Sequence, residues 1–223
     1  PKGRFHPFEL DTFGLGRIVL AARRAGAGRC FVGIGGSATN DGGFGLARAL
    51  GWQFFDRRGT AIGDWPGLVD LHTIVAPQIR RPIRSLTVAV DVQNKLLGKL
   101  GCSRVYGPQK GLGSDDFAVA EAALRRLARV MKDLTGNDLA GQAGAGAAGG
   151  LGFGLGAFAG ARMKPGFDLI ARQLKLATEV RRADLVISGE GSLDRSTAMG
   201  KGVGELALLC RRHSKRCIGL AGI

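Results

Sequence analysis

Short apolar runs rich in β-branched residues recur along the chain, and stretches with helical spacing fall between them. "CFVGI" (30–34), "WQFFD" (52–56), "LTVAVD" (86–91) and "CIGLAGI" (217–223) read as strands. "ADLVISGEGSLD" (183–194) reads as a strand that breaks at Ser188 into a loop. The segments 12–26, 42–51, 114–134 and 203–213 place apolar residues three and four apart and read as helices. Parallel neighbours need a crossover between them, so this alternation restricts the chain to an α/β fold with largely parallel sheets. "RRGTAIGDWPGLVDL" (57–71) is rich in turn residues and is expected to be loop. "GAGAAGGLGFGLGAFAGA" (144–161) has Leu151, Phe153, Leu155 and Phe158 among its glycines, which predicts a close-packed loop leading into a helix rather than a tether.

A chain of 223 residues with 45% hydrophobic content can bury a sizeable core and is expected to be folded and soluble. No run approaches the roughly 20 apolar residues that span a bilayer, and "PKGRFHPFEL" lacks the apolar centre of a signal peptide, so a cytoplasmic location is expected. Cys30, Cys102, Cys210 and Cys217 match neither a zinc ribbon nor a CxxC pair and are expected to be reduced, structural thiols. The net charge of +14 invites a nucleic-acid reading. Its arginines are scattered, however, and aromatics make up only 6%, so a basic surface that attracts a small anionic substrate fits better than a specific nucleic-acid platform. A homo-oligomer is compatible with such a surface.

"GIGGSATNDGG" (33–43) follows the first strand with small and hydrogen-bonding residues where a helix should begin. One reading is an ordinary turn, with Gly35 and Gly36 easing the backbone and Ser37, Thr39 or Asn40 capping the next helix. The other is an anion site in which backbone N–H groups with Ser37, Thr39 and Asn40 surround a phosphate and Asp41 holds a metal. No Walker loop is completed anywhere. "GIGGSA" does fit GxGxxA, with Asp56 closing the next strand at roughly the 20-residue distance of a ribose contact, so a nicotinamide-dependent oxidoreductase is a rival reading.

Three further patches pair a strand end or a constrained loop with chemistry-bearing side chains. "DVQNKLLG" supplies Asp91 and Asn94, "YGPQKG" supplies Lys110, and "GEGSLDRSTAMGKG" supplies Glu190, Asp194, Thr197 and Lys201. Carboxylates that hold Mg²⁺ or accept a hydroxyl proton, and lysines that offset phosphate charge, are what phosphoryl transfer requires.

"GIGGSATNDGG", "DVQN..LLG", "YGPQKG", "GAGAAGGLGFGL", "KPGFDL" and "ADLVISGEGSLD..T..GK", in this order and spacing, resemble the bacterial glycerate kinase family of the glycerate 2-kinase type. The resemblance runs from about Asp11 to Ile223. It implies ATP- and Mg²⁺-dependent phosphorylation of glycerate, and two α/β domains with the active site in the cleft between them. Residues 1–180 would form most of the inserted α/β domain and 181–223 part of a Rossmann-like domain. On this reading Asp194 or Asp41 orients or deprotonates the substrate hydroxyl, Asp91 or Glu190 holds the metal, and Lys110 and Lys201 offset developing charge. Gly35, Gly36, Ser37, Thr39, Asn40, Asn94 and Thr197 would bind substrate or nucleotide. Where the family usually reads "DVxNPLLGPxGA", this chain has Lys95 and Lys99 at the proline positions and Cys102 for a small apolar residue; Ser196 stands for the usual Gln. The family's N-terminal "DGGEGT"-type motif and its C-terminal portion have no counterpart, so an internal fragment is expected, and as an isolated piece it can be folded yet inactive.

Overall fold

The computed structural model describes residues 5–192 and 202–222. The chain separates into two compact units, Pro1–Met163 and Lys164–Ile223. α6 (Gly166–Gln173) and α7 (Leu176–Arg182) fall within the second of these units. These two helices pack on each other, and α7 packs on α8 (Gly202–Arg212), which ties them to the second unit.

In the first unit, β1 (Arg29–Gly33) and β4 (Ser85–Ala89) pair in parallel, from Arg29↔Ser85 to Gly33↔Ala89, and β5 (Arg162–Lys164) adds to β4. The loops after β1 and β4 thus leave the same sheet edge, where open α/β sheets bind ligands. β2 (Gln53–Phe55) does not join this sheet but pairs antiparallel with β3 (Thr73–Val75). α1 (Phe13–Arg24) packs on α2 (Phe44–Ala49). The segment 57–71, expected to be loop, contains a 3-10 turn at Pro66–Asp70 whose Leu68, with Trp65 and Leu71, is fully buried under α4 (Asp116–Thr135). Turn residues in its sequence hide a piece of core. α4 buries Ala120, Ala123, Leu124, Leu127 and Met131, the stripe its spacing predicts, and ends at Gly136 in the left-handed region.

The glycine-rich segment becomes α5 (Ala147–Ala159), whose first turn is left-handed at Ala148, Gly149 and Gly150 before regular helix follows. Its glycines exist for close approach. A Cβ on Gly154 would lie 2.5 Å from Gly43 Cα, and one on Gly149 would lie 2.0 Å from the Thr39 carbonyl oxygen. Gly42 N–H donates to Gly149 O at 3.0 Å across the same contact. Nearby, Trp52 and Phe54 each meet Phe158 edge to face, Phe44 meets Phe54 in the same way, and Trp52 Nε1 donates to Phe158 O at 3.0 Å. Gly154→Ala is therefore expected to lower stability by about 1–3 kcal/mol through overpacking, read as a drop in thermal midpoint. Gly35→Ala, at a position with open space for a Cβ, should leave the midpoint unchanged.

In the second unit, β6 (Leu185–Glu190) and β7 (Arg216–Ala221) pair in parallel, with α8 between them in sequence and packed on both. β6 runs on through Ser188 to Glu190, two positions beyond the expected break. Among the described residues no helix is long and apolar enough to cross a membrane.

Candidate functional site

A cavity of about 830 Å³ lies within the first unit, at the edge where β1 and β4 end. Ile34 to Ala38 form one wall, Ala89 to Val92 another, and Tyr106, Gln109 and Lys110 a third. Phe5, Leu10, Ala147 and Ala148 complete it with apolar surface.

The loop after β1 divides into two halves with different work. Gly35 and Gly36 line the cavity, have open space where a Cβ would stand, and their N–H groups find no acceptor among the described residues. Gly36 also sits at φ +70°, where a side chain would strain the backbone. Packing does not explain these two glycines, and only Gly36 has a backbone conformation that calls for one. Asn40, Asp41, Gly42 and Gly43 are instead buried. Asp41 is fully buried: Oδ2 accepts from Thr12 N–H (2.9 Å), Thr12 Oγ1 (2.8 Å) and Gly45 N–H (2.9 Å), and Oδ1 from Gly43 N–H (3.1 Å). Burial pushes its carboxyl above the ordinary value, and those four donors oppose the shift. Thr12 Oγ1 in turn accepts Leu46 N–H at 2.9 Å. Asp41 thus holds the starts of α1 and α2 together, and the readings that gave it a proton or a metal are corrected: it is sealed from the cavity with both oxygens engaged.

Among the described residues that line the cavity, Lys110 is the cation. It follows α3 (Cys102–Tyr106) in a 3-10 turn that Gly111 ends, and its Nζ donates to Thr39 O at 2.7 Å and Ser37 Oγ at 3.1 Å. Burial holds its ammonium below the ordinary 10.5, while the Asp41 carboxylate works the other way. Cys102 behaves as the small apolar residue it replaces: burial pushes its thiol up to about 12, and Sγ donates to Leu96 O at 3.3 Å.

Asp91 lines the cavity at the end of β4. Thr39 contributes its carbonyl rather than its hydroxyl to Lys110. Asn40 is buried, with Nδ2 donating to Ser103 Oγ at 2.9 Å. Asn94 binds protein at both ends of its amide, Nδ2 donating to Leu100 O at 2.8 Å and Oδ1 accepting from Tyr106 Oη at 2.7 Å, and so shapes the loop after Asp91. Glu190 ends β6 in the second unit. Asp194, Thr197 and Lys201 lie outside the described residues. Tyr106 and Gln109 stood in the quoted "YGPQKG" stretch without a role; the fold, not their spacing, turns them to the cavity.

The dinucleotide reading does not survive this topology. The second strand of that fold lies beside the first in one parallel sheet, whereas β1 pairs with β4 and β2 with β3. Asp56 Oδ1 accepts Arg58 N–H and Thr60 N–H, both at 2.8 Å, and so closes a tight turn.

Residues 1–223 match the profile of the glycerate kinase family. The chain is 38% identical over 227 residues to a glycerate kinase of Halalkalibacterium halodurans, covering 100% of this chain and 59% of that protein. It is 37% identical over 227 residues to the glycerate 2-kinase of Escherichia coli, again over 100% of this chain and 59% of the relative. A crystal structure of a Salmonella typhimurium protein assigned as glycerate kinase 2 superposes with a TM-score of 0.85 at 37% identity, covering 99% of this chain and 60% of that one. The chain thus spans about three fifths of the length of the relatives it matches. With every residue inside the family profile and this fold shared at 37% identity, the chain belongs to the glycerate kinase family.

Proposed function

We propose that the full-length protein transfers the γ-phosphoryl group of ATP to a hydroxyl of glycerate. The observation that carries this reading is Lys110, half-buried in the cavity wall and fixed by Ser37 Oγ and Thr39 O beside the Gly35–Gly36 backbone. Enzymes accelerate phosphoryl transfer by positioning and by preorganised charge, and a lysine fixed next to unpaired N–H groups supplies both for an anion. Ser37, Gly35 and Gly36 would bind phosphate or carboxylate oxygens, and Lys110 would offset the charge that develops as the bond to ADP breaks.

Among the described residues no three His, Cys, Asp or Glu side chains cluster as a metal cage. Mg²⁺ characteristically takes one or two carboxylates and completes its shell with phosphate oxygens and water, so a carboxylate on the cavity wall fits it. Asp91 would be that ligand, and Glu190 is the candidate in the second unit. When bound, Mg²⁺ neutralises phosphate charge. With Asp41 assigned to the fold, Asp194 is the candidate that accepts the hydroxyl proton as the new oxygen–phosphorus bond forms. Thr197 and Lys201 keep the nucleotide-binding and charge-offsetting roles the family resemblance implies.

Glycerate-dependent release of ADP from ATP by the full-length protein, together with no change in NADH fluorescence on titration, is the expected result. NADH binding without ADP release would overturn the reading.

A further inference from the structure

A second cleft, of about 560 Å³, lies between α4 and the 98–104 segment and shares no lining residue with the first cavity. Three cationic side chains line it, Lys99, Arg104 and Arg125, with Phe117 and Glu121. The Arg104 guanidinium lies over the Phe117 ring, 5.4 Å from its centroid, which restrains the orientation of its donors. Glu121, on α4, has a side chain only 8% exposed. Its Oε2 accepts Gly98 N–H at 3.2 Å and stands 3.7 Å from Arg125 Nη2. Its Oε1 is buried and accepts no hydrogen bond among the described residues. A buried carboxylate oxygen without a donor is a standing penalty, and folded proteins rarely keep one without a reason.

We propose that this cleft binds an organic phosphate that also carries a free hydroxyl. Guanidinium forks match phosphate oxygens, and Lys99 adds a third positive charge. Arg125 is exposed and only loosely held at 3.7 Å, so it can swing from Glu121 to the phosphate. Glu121 lines the cleft as a carboxylate that accepts but cannot donate, and the ligand's hydroxyl supplies the donor that Oε1 lacks. A phosphate ester without a hydroxyl would gain the cations but leave Glu121 Oε1 without a donor. The site stands independently of the phosphoryl-transfer reading, because none of its residues lines the first cavity.

Calorimetric titration of the 223-residue chain with glycerol 3-phosphate and with ethyl phosphate tests this. Saturable binding of glycerol 3-phosphate is expected to persist in Lys110→Ala and to weaken by about 10-fold or more in Arg104→Ala/Arg125→Ala, the scale of a lost charge-assisted contact. Arg125→Gln, on an exposed side chain, carries the same test should the double variant not fold. Ethyl phosphate should bind several-fold more weakly, and Glu121→Gln should change that preference. Binding that vanishes in Lys110→Ala and survives the arginine changes would place the ligand in the first cavity and overturn the proposal. Absence of saturable binding in a chain with unaltered circular dichroism would overturn it equally.

Discussion

Replacing Lys110 by Met in the full-length protein is expected to lower kcat/KM for glycerate phosphorylation by about 100-fold or more, the scale on which one preorganised donor to a developing charge contributes. The thermal midpoint should hold or rise. Burial already disfavours the Lys110 ammonium, so a neutral side chain of similar length relieves an electrostatic strain while vacating its two hydrogen bonds to Ser37 and Thr39. A fall in midpoint matching the fall in activity would show instead that Lys110 serves packing alone. The pH profile gives a second readout. The folded-state pKa is lowered, so the ammonium is lost at a lower pH than an ordinary lysine at 10.5. The activity's alkaline limb should therefore lie below that value. Lys110→Arg, whose guanidinium keeps its proton, should remove the limb even if turnover is reduced.

Asp41→Ala is expected to act in the opposite way, on stability first. It strips the acceptor from Thr12 N–H, Thr12 Oγ1, Gly43 N–H and Gly45 N–H in a fully buried place. At about 1 kcal/mol for each stranded donor the loss is about 4 kcal/mol, less whatever is regained by no longer burying a carboxylate. That is a large share of a typical total stability of about 5–15 kcal/mol, and chemical denaturation would show it directly. Asp41→Asn is milder: one oxygen can keep the Thr12 and Gly45 bonds, but an NH₂ then faces Gly43 N–H. The sign of the pH effect follows from the raised pKa. Stability contributed by the protonated carboxyl is fully present below about 3.8 and is lost as pH rises through the folded-state value. The wild type should thus lose ground relative to Asp41→Asn on going from acid to neutral pH. Because the Asp41 charge also raises the Lys110 pKa, Asp41→Asn should move the alkaline limb of activity lower still. An Asp41→Ala protein that melts like wild type but has no turnover would return Asp41 to the chemistry.

Periodicity exposed the longer elements because each repeats its pattern over several turns or alternations: α1, α4 and α8, and the parallel strands β1, β4, β6 and β7. It missed α3, β3 and β5, which run for three to five residues and are too short to display a period. It also missed α6 and α7, which are set off from one another by Lys175 in a left-handed conformation. β2 was legible as a strand, but its partner was not, since pairing with β3 depends on a neighbour elsewhere in the chain. Ser37, Asp91 and Lys110 stood out as polar groups in constrained loops, and the fold gathers them at one cavity. Asp41 and Asn94 stood out on the same grounds and turn out to be bonded within the protein.

What the amino-acid sequence determined by itself was the alternation of strand and helix, the glycine-rich breaks and the ordered motifs, because each is written in residues close together along the chain. Only the tertiary structure decided which of two glycine pairs leaves room for a ligand, Gly35–Gly36, and which admits a neighbouring backbone, Gly42–Gly43. It also decided which carboxylate is sealed and which lines the cavity. The physical reason is that burial and hydrogen-bond satisfaction are set by groups far off in sequence: Thr12 for Asp41, Ser37 for Lys110, Gly154 for Gly43.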